Sequence, residues 1–221
     1  MIRKILHFFS ENASIIGLAF MLLVGTLINS SFLTVDNISN ILRQMSTVSI
    51  VTLGMTVVII SGSIDLSVGS LFCLTAFISS YLSQYNTILA VAGTLAAGMA
   101  IGAFNGFLVT KMRIHPWIAT LAMMLGLRGL GLILTKEDTY KPGVANTAFE
   151  SIARGSIGTF LNYPLIIMLV QAVLFALMMK NTRIVRDFYV CGWIREAASM
   201  MGINVERAIN ISFILSGFTC A

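Results

Sequence analysis

The sequence predicts an all-α polytopic membrane protein with six transmembrane helices, a partial seventh helix and a cytoplasmic N-terminus. The 221-residue chain is 57 % hydrophobic, only 10 % of its residues are charged, and its mean hydropathy is +0.91. Soluble domains carry about 25 % charged residues, so this chain has too few to cover a globular surface in water. Because lipid offers backbone amides no hydrogen-bond partner, its spans must be helices.

Apolar runs of about 20 residues, long enough to cross a hydrocarbon core of roughly 30 Å, follow one another along the chain. The first, at 13–31, resembles a signal peptide, but its length and the lack of a clean small-x-small cleavage site favour an uncleaved signal anchor. Segment 32–45 is mixed in polarity and is expected to lie along the membrane interface. Segment 136–162, which holds Pro142 and Gly143, is predicted to be a loop. The remaining spans are predicted at 46–62, 66–83, 87–110, 117–135 and 163–179.

The last two segments are a polar stretch, 180–207, and an apolar run of 14 residues, 208–221. Fourteen residues make a helix of about 21 Å, which is shorter than a span, so we expect a chain cut inside its seventh helix. Within the polar stretch, "REAASMMGI" predicts a short helix because it is rich in helix-forming residues, among them Glu196, Ala197 and Ala198. Gly202 suits the left-handed position just past its end. This helix either docks into a soluble partner or belongs to a solvated connector, and spacing does not decide between the two.

Lysine and arginine are distributed unequally between the two predicted sides of the membrane. With the N-terminus inside, nine fall in inside segments and four in outside segments, which agrees with the positive-inside rule. The rule places 180–207 in the cytoplasm and 136–162 outside, and it explains the net charge of +5 better than nucleic-acid binding does. The inside residues are Arg3, Lys4, Lys111, Arg113, Lys180, Arg183, Arg186, Arg195 and Arg207, and the outside residues are Arg43, Lys136, Lys141 and Arg154.

Neither the cysteines nor the histidines suggest a metal site. Cys73, Cys191 and Cys220 are scattered and odd in number, which indicates neither a disulfide framework nor a zinc site. His7 and His115 are too few and too far apart in sequence to form a cluster. We therefore expect no metal, no cofactor and no catalytic residue.

The stretch "SGSIDLSVGS", residues 61–70, places a carboxylate between two apolar runs. A charge at the centre of a membrane helix costs roughly 2.5–3.5 kcal/mol on insertion scales, and such residues usually face a cavity or a partner. Glycine and serine allow the helix to break here, and Asp65 or Ser67 can cap the next helix. Two interpretations stay open: a polar site at a broken helix in the bilayer, or a capped turn at the membrane surface.

Three further features of the spans concern packing or the transport pathway. Gly98, Gly102 and Gly106 recur every four residues, which predicts the close approach of another helix. Asn105 lies beside this stripe and either bonds to a neighbouring helix or lines a pathway. Arg128 lies about 10 Å from the outer end of its span; it snorkels outward, pairs with a carboxylate or lines a pathway. A pair with Asp65 would require the Asp65 segment to re-enter the membrane.

Several stretches together resemble the permease subunits of bacterial ATP-driven (ABC) monosaccharide importers, of the ribose, xylose, arabinose, galactose and autoinducer-2 type. "GMTVVIISGSIDLSVGS" resembles their glycine-glycine-isoleucine-aspartate-leucine-serine-valine-glycine signature, with Ser63 in place of the second glycine. "FLTVDNISNILRQMS", "GAFNGFLVTKMRIHPWIATLAMMLGLRGL" and "REAASMMGINVERA" agree as well. The chain departs from the family where Trp193 and Ile194 follow Gly192, because a glycine and an asparagine are usual there.

The resemblance implies one permease domain over 1–221, incomplete at its C-terminus, in the bacterial cytoplasmic (inner) membrane. It implies a second permease chain, identical or different, a periplasmic sugar-binding protein and an ATPase subunit that contacts the loop 180–207. No phosphate-binding loop of the GxxxxGK[ST] type occurs, so the chain itself is not expected to hydrolyse ATP. Asp65 and Ser67 then belong to the signature, with Asn105 and Arg128 as further pathway candidates. The coupling-loop residues are Gly192, Glu196, Ala197, Ala198 and Gly202.

Two other functions stay open on the sequence. The chain can be a truncated, inactive remnant of such a permease, which its end at Ala221 and the altered "CGWIRE" favour. It can also be a secondary transporter, which would require internal repeat symmetry and paired intramembrane ionisable residues.

Overall fold

The computed structural model describes residues 13–135, 147–158 and 161–221, and this part of the chain is almost entirely helical. Four of its helices, α2, α4, α5 and α7, are long and apolar enough to cross a membrane, and α1 and α3 contain shorter apolar helices. The helices are α1 (Ala13–Ile28), α2 (Val35–Ile60), α3 (Val68–Ser83), α4 (Thr87–Thr110), α5 (Pro116–Thr135), α6 (Thr147–Arg154), α7 (Tyr163–Asn181), α8 (Arg183–Trp193), α9 (Arg195–Met200) and α10 (Val205–Cys220).

The centre of the fold is an antiparallel pair formed by α4 and α10, which make the most extensive contact between any two elements. The predicted glycine stripe produces this contact. A side chain at Gly98 would overlap the carbonyl oxygen of Gly217, and one at Gly102 would overlap that of Phe213. The prediction that a helix approaches this stripe closely is therefore confirmed, since only glycine allows two backbones to come so near.

The other helices surround this pair. Helix α2 packs on α10, α3 packs on α4, α5 packs on α3, and α7 packs on the outer side of α2. The outer faces are apolar: α7 has no buried residue, and Leu27 and Ile133 are 79 % and 75 % exposed. Apolar surface of this extent is rare on soluble proteins, and it suits a chain whose outer face meets lipid.

The boundary predicted between 32–45 and 46–62 is wrong, because α2 runs without interruption from Val35 to Ile60. Its first turns are amphipathic: Ile38 and Leu42 are partly buried, and Asp36 and Asn40 are exposed. The mixed polarity that suggested a separate interfacial segment therefore reflects two faces of one helix.

Segment 136–162 was predicted to be a loop, but its described part contains structure. Helix α6 is followed by β1 (Ser156–Ile157), which pairs antiparallel with β2 (Leu161–Asn162). Asn162 is fully buried and donates from Nδ2 to the Ser39 carbonyl oxygen at 2.8 Å, which fixes this hairpin to α2. Several residues used in the sequence analysis lie outside the described residues: Arg3, Lys4, His7, Lys136, Lys141, Pro142 and Gly143.

Segment 180–207 is more ordered than predicted. The short helix "REAASM" is confirmed as α9, and Gly202 has the expected positive φ of 78° beyond its end. Helix α8 was not predicted. It buries Val185 and Phe188 against Val57 of α2 and Ala208 of α10, so the segment is packed onto the helices.

Candidate functional site

The chain leaves α2 through a Schellman motif, a backbone turn that ends many helices. Gly62 has φ of 74°, its N–H donates to Ile59 O, and the Ser63 N–H donates to Val58 O. A positive φ at this position favours glycine. Residues 61–67, which we call the break segment, then run without helical structure until α3 begins at Val68.

Side chains in the break segment alternate between the protein interior and its surface. Four polar side chains at two-residue spacing are at most 3 % exposed, and the intervening Gly62 and Ile64 are exposed. The pattern Ser-x-Ser-x-Asp-x-Ser therefore places all four polar side chains in the protein interior. These buried residues are Ser61, Ser63, Asp65 and Ser67.

A hydrogen-bond network centred on the Asp65 carboxylate joins the start of α3 to α10 and, through Ser67, to α4. Its Oδ1 accepts from the Ser67 N–H at 3.0 Å and from the Ser67 hydroxyl at 2.6 Å. Its Oδ2 accepts from the Ser216 hydroxyl of α10 at 3.1 Å. The Ser67 hydroxyl oxygen in turn accepts a hydrogen bond from Asn105 Nδ2 of α4 at 2.8 Å. An ionised carboxylate only accepts hydrogen bonds, and the three groups that surround this one, an amide N–H and two hydroxyls, all donate to it.

Further polar contacts hold the break segment on either side of Asp65. The hydroxyl groups of Ser61 and Ser212 lie 3.0 Å apart. The Thr120 hydroxyl of α5 donates to the Ile64 carbonyl oxygen at 3.3 Å and to Pro116 O at 2.8 Å. The segment is therefore tied to α4, α5 and α10, and its polar groups face partners rather than lipid.

The Asp65 cluster, which comprises Asp65, Ser67, Asn105 and Ser216, lies inside the ends of the two central helices. Asn105 precedes the last residue of α4 by five positions, and Ser216 follows the first residue of α10 by eleven. At 1.5 Å per residue, the carboxylate lies roughly 8–16 Å from those helix ends. The exposed ion pair between Lys111 and Glu206 marks the same end of the pair. Of the two sequence-based interpretations, this geometry favours a broken helix set into the bundle.

Sequence reasoning found three of the four residues in this cluster. It missed Ser216, together with Ser212 and Thr120 nearby. A usable signal was present, because the two serines are four residues apart in an apolar run and so share a helix face. Ser67 occupies the N-cap position of α3, but its side chain caps no helical amide; Asp65 instead accepts the Ser67 N–H.

Arg128 lies apart from the Asp65 cluster. It is exposed on α5, and no hydrogen bond or ion pair joins it to another residue in the described ranges. Its pairing with a carboxylate, one of the three possibilities that the sequence left open, is absent from this part of the molecule.

The residues predicted in the coupling loop differ in their surroundings. Ala198 is fully buried in the α8–α10 core, whereas Glu196 is exposed and Ala197 half-buried. Large apolar side chains project from the same segment: Trp193 and Met200 are each 88 % exposed, and Met201 is 72 % exposed.

The α8–α9 segment, residues 183–200, touches the break segment directly. A side chain at Gly192 would overlap the Ile60 carbonyl oxygen and approach Gly62 N to 3.2 Å. Arg195 donates from a terminal guanidinium nitrogen to Gly62 O at 3.0 Å and to the Ser63 hydroxyl at 3.3 Å. A cavity of about 330 Å³ lies beside these contacts, and Trp117 and Trp193 line it. Within the described ranges, no three His, Cys, Asp or Glu side chains lie close enough to share a metal ion.

Comparison with known proteins gives consistent matches. The family described as the permease component of branched-chain amino acid transport systems matches residues 37–221. The ribose import permease of Escherichia coli K12 is 36 % identical over 94 % of this chain and 65 % of its own length. The Bacillus subtilis ribose import permease is 32 % identical over 99 % of this chain and 69 % of its own length. The L-arabinose ABC transporter permease of Azospirillum brasilense is 31 % identical over 93 % of this chain and 61 % of its own length. No solved structure gives a significant match.

Proposed function

Because the chain belongs to the family of permease components of branched-chain amino acid transport systems, we propose that it is the transmembrane subunit of an ATP-driven monosaccharide importer. The observation that carries this proposal is the match to relatives named as ribose and arabinose permeases, which extends over 93–99 % of this chain. The chain spans about 65 % of the length of the Escherichia coli relative. In this proposal it forms part of the sugar pathway in the bacterial inner membrane and leaves ATP hydrolysis to another subunit.

The proposed topology has a cytoplasmic N-terminus, six spans and a partial seventh. It is supported by the asymmetry of lysine and arginine and by the position of the basic residues at one end of the α4–α10 pair, where Lys111 and Glu206 meet. In this orientation, the α8–α9 segment faces the cytoplasm, and α6 with its hairpin faces the periplasm. A reporter fused after Lys180 and another fused after Gly155 would test the two sides independently.

Asp65 and its partners are proposed to hold the broken helix in shape beside the pathway. Three donors surround the carboxylate, and Asp65 is only 1 % exposed, so its oxygens are already occupied by protein groups. Asn105 extends the same network into α4. Arg128, which is exposed on α5, is proposed to face the pathway or the second permease chain that completes it.

The α8–α9 segment is proposed to be the contact for an ATPase subunit. Aromatic and methionine side chains are enriched in protein interfaces, and Trp193, Met200 and Met201 are exposed on this segment, which the proposed topology places in the cytoplasm. Glu196 lies on the surface of the same segment, whereas Ala198 supports it from within. A periplasmic sugar-binding protein is the proposed partner on the opposite face.

Reconstitution of the complex tests the proposal. The chain is expressed with the ATPase subunit encoded beside it, purified in detergent, placed in liposomes and supplied with the cognate binding protein. We expect a stable complex whose ATP hydrolysis rises when sugar-loaded binding protein is added, together with uptake of ribose or a related monosaccharide.

Two controls separate the rival functions. Uptake that needs an ion gradient and persists with an ATPase subunit unable to hydrolyse ATP would indicate a secondary transporter. Failure to form a complex, followed by recovery when downstream sequence is added, would indicate an inactive remnant and overturn the proposal for this chain.

A further inference from the structure

We propose that Gly192 and Arg195 are positioning residues that fix the break segment to the α8–α9 segment, so that movement of α8–α9 shifts the Asp65 carboxylate. The mechanical part of this inference depends only on contacts within the chain. Its consequence for transport rests on the function proposed above.

Gly192 provides the close backbone packing between the α8–α9 segment and the break segment, which we call the steric half of the contact. Its Cα lies against the end of α2, and an added Cβ would overlap the Ile60 carbonyl oxygen and lie 3.2 Å from Gly62 N. These atoms belong to the backbone, so no side-chain rotation can make room. The close approach also works in reverse, because a Cβ at Gly62 would lie 3.1 Å from the Gly192 Cα. The two glycines are therefore in direct backbone contact.

Arg195 provides the hydrogen bonds between the same two segments. One terminal nitrogen of its guanidinium reaches Gly62 O at 3.0 Å and the Ser63 hydroxyl at 3.3 Å. Hydrogen bonds from a charged donor are stronger than those between neutral groups. Both acceptors lie where the backbone leaves α2: one belongs to Gly62, whose φ is 74°, and the other to Ser63, the next residue. Arg195 thus holds the turn at the point where its direction is set.

Asp65 lies two residues beyond Ser63 in the break segment, and both side chains are buried. Only Ile64 lies between them, so the connecting chain is too short to absorb a displacement of Ser63. The same carboxylate is bonded to Ser216 of α10, and its Ser67 partner is bonded to Asn105 of α4. A shift of Gly62 and Ser63 would therefore be felt at the contact between the break segment and the two central helices. In this arrangement, a displacement of the α8–α9 segment is transmitted to the break segment through Gly192 and Arg195.

Hydrogen–deuterium exchange of the full chain in lipid nanodiscs tests the mechanical part. The reporter amides are those of Gly62 and Ser63, which donate to Ile59 O and Val58 O. We expect Arg195→Gln to speed their exchange about tenfold, the effect of losing one hydrogen bond from a charged donor, and to leave α4 unchanged. Arg195→Lys should restore slow exchange, because lysine keeps the charge and a donor. Arg186→Gln, which removes one exposed positive charge from α8, is the matched control and should have no effect.

Unchanged exchange at Gly62 and Ser63 in Arg195→Gln would overturn the proposal, as would an equal change in Arg186→Gln. Gly192→Ala provides a second variant with the same readout. We expect faster exchange at the same two amides, since the added methyl group forces the backbones apart. Protection equal to that of the wild type would contradict the steric half.

The consequence for transport is read from the number of sugars imported per ATP hydrolysed. Simple loss of folded protein lowers uptake and hydrolysis together and leaves this ratio unchanged. We expect Arg195→Gln to lower the ratio at least threefold at a near-normal hydrolysis rate, and Arg195→Lys to restore it. A wild-type chain that does not import sugar would refute the proposed function but not the mechanical contact. Normal import with an unaltered ratio in Arg195→Gln would refute the coupling role alone.

Discussion

Replacement of Asp65 by asparagine and by alanine should have very different effects on stability. Alanine removes the acceptor from three donors: the Ser67 N–H, the Ser67 hydroxyl and the Ser216 hydroxyl. All of these residues are buried, and a buried donor left without an acceptor costs about 1–3 kcal/mol. Because each hydroxyl can turn partly toward a backbone carbonyl, we take a value near the lower limit for each. Because both substitutions remove the same buried charge, the desolvation term is common to them, and Asp65→Ala should be about 3–5 kcal/mol less stable than Asp65→Asn.

Asparagine keeps the shape of the side chain and removes its charge. Its Oδ1 can retain both bonds from Ser67, and its Nδ2 can donate to the Ser216 oxygen once that hydroxyl rotates. Each bond weakens by about 1 kcal/mol when the acceptor is neutral, a total of about 3 kcal/mol. Removal of a buried charge recovers a desolvation penalty of several kcal/mol. The two terms nearly cancel, so Asp65→Asn should lie within about 1 kcal/mol of the wild type.

Reversible unfolding in mixed micelles measures both variants. Helical circular dichroism is followed as the mole fraction of dodecyl sulfate rises, and the free energy of unfolding is extrapolated to native conditions. If asparagine destabilised the chain as much as alanine, the negative charge rather than the hydrogen-bonded shape would hold the break segment. If alanine were harmless, the Asp65 cluster would contribute nothing to the fold. Either result would refute the reasoning.

Three further predictions use the same assay or its pH dependence. Gly102→Ala should lower the free energy of unfolding by about 1–3 kcal/mol, because the new methyl group meets the backbone of α10. The control Gly129→Ala should leave the free energy of unfolding nearly unchanged, because no atom lies within 4 Å of the added methyl group. Equal effects would contradict the packing argument. Arg113 has φ of 54°, a left-handed conformation that costs roughly 1 kcal/mol for a residue with a side chain. Arg113→Gly should therefore not destabilise the chain. A clear loss of stability would show that the backbone at Arg113 is not strained. The hydrogen bond from Lys111, and then the charge of Lys111, lower the pKa of Glu206 below its ordinary value of 4.5. The pair therefore stabilises the folded state fully above pH 4.5, and this contribution is lost as the pH falls through the lowered pKa of the folded state. The stability difference between wild type and Glu206→Gln should be present at neutral pH and vanish in acid, and a difference that grew in acid would contradict this argument.

Much of the architecture was predictable because it depends on local composition. The resemblance to importer permeases is confirmed at the level of the family. The spans at 87–110 and 117–135 coincide with α4 and α5 to within one residue, since long apolar runs have no alternative to helix in lipid. Gly202 was also placed correctly, because the turn after a short helix is a local property of the backbone.

The errors occurred where local composition was ambiguous. Polarity at 32–45 suggested a separate interfacial segment, but the same residues form one face of a continuous α2. Helix α8 was missed because "RIVRDFYVCGW" is mixed in polarity, and its helical form is supported by packing of Phe188 and Val185 on α2 and α10.

The sequence by itself determined that the chain belongs in a membrane, that its helix breaks near Asp65 and that another helix approaches the glycines of α4. Each follows from a local property of a short segment: its apolar surface suits lipid, its backbone amides must be hydrogen-bonded, or its glycines lack the side chains that would keep a neighbouring helix away. Only the tertiary structure decided which groups Asp65 would bond, that α10 is the helix that approaches, and that Arg195 reaches back to Gly62. Those contacts join residues more than a hundred positions apart. Folding brings the distant Ser216 hydroxyl to a buried carboxylate that cannot remain unpaired away from water, and it brings Arg195 to the exposed carbonyl group of Gly62.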